Sequence, residues 1–131
     1  MGDEQERRGP YRSHRDLEVW SDGVALVRDV YALTQGWPSD ERFGLTSQVR
    51  RAAVSVPSNV AEGWGRHKKG EFDQFLRYAR GSLFEVETQL VIAVEVGLSP
   101  EQETADLLRR IDLLRRIDVL SRRLLALRRS L

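Results

Sequence analysis

A proline in the middle of a helical apolar pattern constrains the fold of this chain more than any other feature. Between Gly44 and Arg66, apolar residues recur at helical spacing, namely Leu45, Val49, Ala52, Val56 and Val60. Pro57 interrupts this segment; inside a helix it removes a backbone hydrogen bond and crowds a carbonyl group of the preceding turn, at a cost of roughly 3 kcal/mol. Small side chains on the same segment (Ala52, Ala53, Ser55 and Ala61) allow neighbouring helices to approach closely. We therefore expect a second helix that is kinked at Pro57 and packed on several sides.

Apolar periodicity predicts another helix before this segment. It runs from Asp16, a residue suited to the N-cap, to about Thr34. Its two apolar stripes are Leu17, Trp20, Val24, Val27 and Tyr31, and Val19, Leu26, Val30 and Leu33. The second helix, which contains Pro57, is expected to end near Gly63, a natural left-handed C′ residue.

The third predicted helix begins near Glu71 and closes at Gly97. Its apolar seam is nearly a heptad pattern: Phe72, Phe75, Leu76, Ala79, Leu83, Val86, Leu90 and Ala93. Residues 99–102 combine a serine N-cap, a proline at the first helical position and a glutamine that completes a capping box, so they predict the start of a fourth helix. Short connections make successive helices antiparallel, which predicts an all-α, up-and-down four-helix bundle.

The fourth segment contains a tandem repeat of DLLRRI, at Asp106–Ile111 and Asp112–Ile117. The repeat drifts around the helix, yet an apolar seam persists: Leu107, Ile111, Leu114, Ile117, Leu120, Leu124, Leu127 and Leu131. Arginine pairs at 109/110, 115/116, 122/123 and 128/129 occupy the other faces. The apolar seams of all four helices are together wider than a lone bundle can bury, which indicates self-association.

Length and composition indicate one domain. The chain has 131 residues, enough to bury about two-thirds of its unfolded surface. Residues 1–15 are polar and charged, so we expect a disordered leader, followed by a single four-helix-bundle domain at residues 16–131. Cysteine is absent, no segment has the ~20 apolar residues of a membrane span, and the N-terminus lacks a secretory apolar region. These features predict a cytoplasmic protein with no membrane partner.

Charge alternates along the chain, although the formal net charge is only +1. Residues 42–80 contain eight Lys/Arg and three acids, a balance of +5. Residues 81–106 contain six acids and no Lys/Arg, whereas from residue 107 onward eight arginines outnumber two aspartates, a balance of +6. This alternation sets up an electrostatic field across an assembly.

Four segments resemble the signature of a bacterial four-helix-bundle family, first met as reading frames inside intervening sequences of large-subunit ribosomal RNA genes. They are DLEVW at Asp16–Trp20, GLTSQVRRAAVSVPSNVAEGWGR at Gly44–Arg66, EF and FLR within Glu71–Arg77, and GSLFEVETQL at Gly81–Leu90. The resemblance covers about residues 16–127, and the chain departs from the family pattern at Lys68 and Gly70. It implies an antiparallel bundle that assembles as a homopentamer. A more distant resemblance is to the accessory proteins of diversity-generating retroelements, pentamers that bind a reverse transcriptase and RNA.

The sequence does not predict a catalytic centre, a metal site or a cofactor. The two histidines, His14 and His67, fall in the leader and a loop, and no Glu-x-x-His motif of a di-iron bundle is present. Ser55 and Ser58 have no basic partner placed to activate them. Gly65 to Gly70 has the glycine spacing of a phosphate-binding loop, but glutamate follows where that loop requires lysine. We therefore expect a protein that is not an enzyme.

Polar residues beside the apolar seam of the second helix predict a structural network. A stranded polar group near a seam costs roughly 1–3 kcal/mol, so such groups must be paired. We expect Gln48, Asn59 and Glu62 to bond with arginines such as Arg51 or Arg66 and to fix helix register around Pro57.

Basic residues concentrated around the second and third helices are the best functional candidate. The candidate nucleic-acid contacts are Arg50, Arg51, Trp64, Arg66, His67, Lys68, Lys69, Arg77 and Arg80. Lys and Arg bind phosphates, and Trp64 is expected to stack on a base. Avidity in a ring multiplies modest affinities. The competing interpretation is a solvated loop whose cations form ordinary ion pairs between subunits.

The leading hypothesis is a non-enzymatic homo-oligomer, with a homopentamer favoured, that contacts RNA or DNA through phosphates. The alternative is a protein–protein adaptor, resembling the reverse-transcriptase accessory proteins, that docks a partner polypeptide on its basic and acidic zones.

Overall fold

The computed structural model describes residues 11–98 and 104–131, without the side chains of residues 104–112 and 114. Four helices make up this part of the chain: α1 at Glu18–Thr34, α2 at Leu45–Gly65, α3 at Lys69–Glu95 and α4 at Thr104–Ser130. Short 3-10 helices at His14–Asp16 and Ser39–Glu41 precede α1 and α2. The fold is all-helical over the described residues, as predicted.

The four helices form an up-and-down bundle in which each helix packs against two neighbours. Helix α1 contacts α2 and α4, and helix α3 contacts α2 and α4. One end of the bundle therefore holds the start of α1, the end of α2, the start of α3 and the end of α4. This arrangement confirms the predicted four-helix bundle.

The predicted apolar seams meet in one core. In α1 the second predicted stripe is buried, whereas Val24 and Tyr31 of the first stripe remain 40% and 42% exposed. The fully buried large side chains come from all four helices: Leu26, Val30, Val49, Val56, Val60, Leu76, Leu83, Val86, Leu113, Ile117, Leu120 and Leu124. Of the predicted α4 seam, Leu107, Ile111 and Leu114 lie outside the described side chains. Leu113, which is not part of the predicted seam, is buried within the core.

Small residues bring α2 close to its neighbours on both sides. Pro57 lies inside α2. A Cβ atom added at Gly23 of α1 would lie 3.1 Å from the Cβ atom of Pro57, so only glycine leaves full room for the proline ring there. On the α3 side, the Ser55 hydroxyl hydrogen-bonds that of Ser82. The expectation that α2 is a narrow helix packed on several sides is confirmed.

Gly63 is part of the same close packing and is not the left-handed C′ residue of α2, so that part of the prediction was wrong, although the helix ends only two residues later. A Cβ atom at Gly63 would lie 2.6 Å from the Cβ atom of Phe75 in α3. The helix continues to Gly65, and His67, with a φ of 59°, is the residue that adopts the left-handed conformation. Histidine is one of the side chains that tolerate this region.

The start of α1 differs from the prediction, whereas the end of α3 agrees with it. Asp16 does not cap α1, since its carboxylate accepts the backbone N–H groups of Arg12 and Ser13 at 2.8 and 3.3 Å. These bonds lower the pKa of Asp16. At the end of α3, Gly97 has a φ of 73°, and the N–H of Leu98 donates to the carbonyl of Ala93 at 2.9 Å, as in a Schellman motif. The predicted end of α3 at Gly97 is therefore confirmed.

Some predictions fall outside the described residues. The capping sequence at residues 99–102 is one, and residues 1–10 of the predicted leader are another. The remainder of that leader includes the 3-10 helix at His14–Asp16, whose N-cap is Ser13. In the described part of the chain, no helix is long and apolar enough to cross a membrane.

Candidate nucleic-acid interface

The three-residue connection between α2 and α3 and the first residue of α3 carry four consecutive, exposed basic residue types. Helix α2 ends at Gly65 and α3 begins at Lys69, so only residues 66–68 link two antiparallel helices. The left-handed His67 makes this tight reversal possible. We call Arg66, His67, Lys68 and Lys69 the link cluster, and the bundle end that holds it the basic end. The predicted connection from Gly63 to Gly70 was thus too long.

All four side chains of the link cluster are exposed. Arg66 pairs with Glu62 at 3.2 Å and lies 5.1 Å from the ring centroid of Phe75, which orients its guanidinium. Lys68 and Lys69 form no ion pair with any of the described side chains. Because an exposed ion pair such as Arg66–Glu62 contributes only ~0.2–1 kcal/mol, the cluster retains cations available to a phosphate.

Arg77 and Arg80 lie farther along α3, on the side that faces α4. Arg77 pairs with Asp73 at 3.3 Å, and Asp73 also accepts from Arg128 of α4 at 2.9 Å. Arg80 donates to the Ser121 hydroxyl at 3.4 Å and lies over the Phe84 ring. These two arginines share a helix face, as predicted, but only Arg80 holds α3 to α4, since the acid paired with Arg77 lies in its own helix.

Trp64 does not offer a stacking platform, which corrects the prediction. It is only 7% exposed and belongs to the core. Its ring packs edge-on against Phe72 of α3, with the ring centroids 5.9 Å apart, and against Tyr11 at 6.4 Å. Trp64 thus supports the link cluster from beneath and leaves a base no face on which to stack.

Arg50 and Arg51 do not join the link cluster. They precede Arg66 by about four helical turns, or roughly 22 Å along α2. The Nε atom of Arg50 donates to the Thr34 hydroxyl at 2.8 Å, and its guanidinium lies 4.4 Å from the Tyr31 ring centroid. Arg50 therefore fastens α2 to α1, while Arg51 is exposed on the outer face of α2.

The predicted polar network of α2 does not form within one chain. Asn59 donates to the carbonyl of Ser55 in its own helix at 2.7 Å, and Glu62 pairs with Arg66. The exposed Gln48 side chain bonds to none of the described residues. The sequence pattern did not identify a different polar group, Gln89 of α3, whose buried Oε1 atom has no hydrogen-bond partner.

Antiparallel packing brings basic segments that are distant in sequence to the same end of the bundle. The 2.9 Å bond between Arg128 and Asp73 places the end of α4 beside the start of α3. The contact of Tyr11 with Trp64 places exposed Arg12 and Arg15 there too. The exposed acids Glu85, Glu87 and Glu95 lie toward the other end of α3. Arg12 and Arg15 were not predicted as contacts, because the polar and charged sequence around them indicates a disordered leader.

The described residues do not contain a metal site. No three His, Asp or Glu side chains among them are grouped closely enough to hold a metal ion. The chemistry that the basic end supports is the binding of anions by exposed guanidinium and ammonium groups.

Comparison with protein families gives a match over most of the chain. Residues 15–118 match the family described as 23S rRNA-intervening sequence protein. A search of curated proteins found no match.

Proposed function

Because the chain belongs to the 23S rRNA-intervening sequence protein family, we propose that it is a non-enzymatic cytoplasmic protein that binds RNA through phosphate groups at its basic end. The observation that supports this function is the link cluster, where Lys68 and Lys69 are exposed and form no ion pair within the described part of the chain. The family description refers to ribosomal RNA, which makes RNA the first polyanion to test.

Phosphate contacts set the expected binding mode. Cations on an exposed connection reach a backbone without reading base edges, so affinity depends weakly on sequence and strongly on salt. Buried Trp64 removes the stacking contribution that would favour single strands. We therefore expect the protein to bind duplex RNA at least as well as unstructured RNA.

The test is binding of a labelled RNA duplex of about 20 base pairs to the intact protein, measured by fluorescence anisotropy at about 50 mM salt. We expect saturable binding that weakens as salt rises. Absence of binding at low salt would overturn the proposed function. Nuclease-treated pull-downs that recover one stoichiometric protein would support the adaptor alternative instead.

We further propose that the protein functions as a homopentamer whose subunits meet through apolar side chains that the single bundle leaves exposed. Val24 and Tyr31 lie two turns apart on α1, and Val54 lies one turn from Arg50, which packs on Tyr31. These three side chains therefore lie together on the outer surface formed by α1 and α2. In a closed ring, one patch of each subunit contacts a different patch of the next subunit. Exposed Val91, Ile92 and Val96 of α3 are the second patch.

Charges introduced into the first patch are expected to dissociate the ring. Val24 and Val54 are 40% and 41% exposed, so Val24→Glu with Val54→Glu leaves the core intact but places carboxylates in an apolar contact. Light scattering is expected to give about 75 kDa for five copies of the 15.0 kDa chain, and close to one chain for the variant. Val119→Glu, 42% exposed on α4, is the control and should keep the full mass. A wild-type protein that is a stable single subunit would contradict the proposal.

A further inference from the structure

The arginine pairs of α4 divide into two sets with different surroundings. In each described pair, one arginine contacts an acid on a neighbouring helix and the other points to solvent. The inward set is Arg116, Arg123 and Arg128, and the outward set is Arg115, Arg122 and Arg129. Adjacent and identical side chains of this helix thus have different surroundings.

The inward arginines hold α4 to the bundle. Arg116 pairs with Asp29 of α1 at 3.1 Å, and Arg123 bonds to Asp22 of α1 and lies 3.7 Å from Glu18. The bond to Asp22 raises the pKa of Arg123. Arg128, whose side chain is 21% exposed, pairs with Asp73 of α3. Packing therefore accounts for these three charges.

Packing does not account for the outward arginines. Arg115 and Arg129 are exposed and form no ion pair with the described side chains. Arg122 bonds to Asp118 one turn earlier, but its side chain is 73% exposed. An exposed pair within one helix contributes only ~0.3–0.5 kcal/mol, so Arg122 remains available to a competing anion.

The outward arginines form a straight row, because residues seven apart return to nearly the same face of a helix. Each step of seven residues rises about 10.5 Å, so the row is about 21 Å long. Double-stranded DNA has one charge per ~1.7 Å of axis when both strands are counted, so a duplex segment of this length carries about a dozen phosphates, and the row can contact those on its near side. The row begins at the basic end, since Arg129 follows Arg128, which contacts Asp73 near the start of α3.

We propose that Arg115, Arg122 and Arg129 form a second phosphate-binding surface, which extends the basic end along α4 and binds the backbone of the same RNA duplex. This inference rests on the proposed function. The arginine pairs are visible in the sequence, but the sequence does not show which member of each pair faces a neighbouring helix, so it predicts no role for them.

The test compares how the affinity of the intact protein for the labelled RNA duplex depends on salt in four proteins. They are the wild type, a row variant with Arg115→Gln, Arg122→Gln and Arg129→Gln, a rescue variant with lysine at the same positions, and a control variant. The control variant carries Ser39→Glu and Arg42→Glu, which lower the net charge by the same three units at exposed positions of the connection between α1 and α2, off α4.

The row variant is expected to lower the slope of log affinity against log salt by about 2.7, since each lost contact contributes about 0.9 on a duplex. The rescue variant should keep the slope, because lysine also binds phosphate as a point charge. If the wild type binds the duplex but the row and control variants have equal slopes, the row is overturned and the proposed function is not. If the wild type does not bind the duplex, the proposed function is overturned. If the row variant keeps the wild-type RNA slope but no longer binds polyglutamate, the row is a binding surface for an acidic protein and the inference is overturned.

Discussion

Replacing Arg66, Lys68 and Lys69 together with glutamine is expected to weaken RNA binding about a hundredfold at ~50 mM salt. The three side chains are exposed on a connection fixed by α2 and α3, so their loss removes phosphate contacts without opening the core. Each lost contact also removes the entropy of one released counterion, so the salt dependence should flatten together with the affinity. Fluorescence anisotropy with the same labelled duplex measures both quantities.

The control for this variant is the protein with Ser39→Glu and Arg42→Glu. It has the same net charge, but its substitutions lie at exposed positions of the connection between α1 and α2, at the opposite end of the bundle from the link cluster. We expect its affinity to fall less than tenfold. An equal loss in both variants would mean that overall charge, and not the basic end, controls binding.

Gly63→Val is expected to destabilise the protein by about 3 kcal/mol, the largest effect on stability that we predict. The added Cβ atom would lie 2.6 Å from the Cβ atom of Phe75 and 3.1 Å from Cδ1 of Phe72. A Cβ atom cannot rotate away from its backbone, so α2 and α3 would have to separate. Thermal unfolding at one fixed protein concentration should show a fall of about 10 °C in Tm.

Gly81→Ala is the control for this substitution. Gly81 lies inside α3, and a Cβ atom there would meet nothing within 4 Å. Alanine in an exposed helix interior is expected to stabilise the protein by about 0.5–1 kcal/mol. If Gly63→Val were also neutral or stabilising, α2 and α3 would not be packed as closely as described.

The helices themselves are predictable from sequence because apolar residues at helical spacing come together on one face only when the segment is helical. Positions such as Val49, Val56 and Leu83 were assigned to the core by periodicity alone and are fully buried. The helix ends were less predictable. Gly63 has the residue type of a helix terminus, but contact with Phe75 requires glycine there for a different reason. Only the tertiary contact distinguishes these two uses of glycine.

The candidate site was predicted in part. The clustering of Arg66, Lys68 and Lys69 follows from their adjacency in sequence, and the structure keeps them together and exposed. Trp64 was assigned to the site because it lies near these cations in sequence, yet helical geometry turns it inward toward Phe72. The tyrosine that brings Arg12 to the same end lies in a segment with no periodic pattern, so sequence spacing does not reveal this contact.

The central claim is that RNA contacts the basic end of the bundle, and chemical footprinting tests this claim most directly. Arginine and lysine side chains of the intact protein are modified with and without the duplex, and each position is quantified by mass spectrometry. We predict protection of Arg66, Lys68 and Lys69 by RNA, with Arg42, at the opposite end of the bundle, remaining reactive. Protection of Arg42, or unchanged reactivity of Arg66, Lys68 and Lys69 while RNA is bound, would contradict the account.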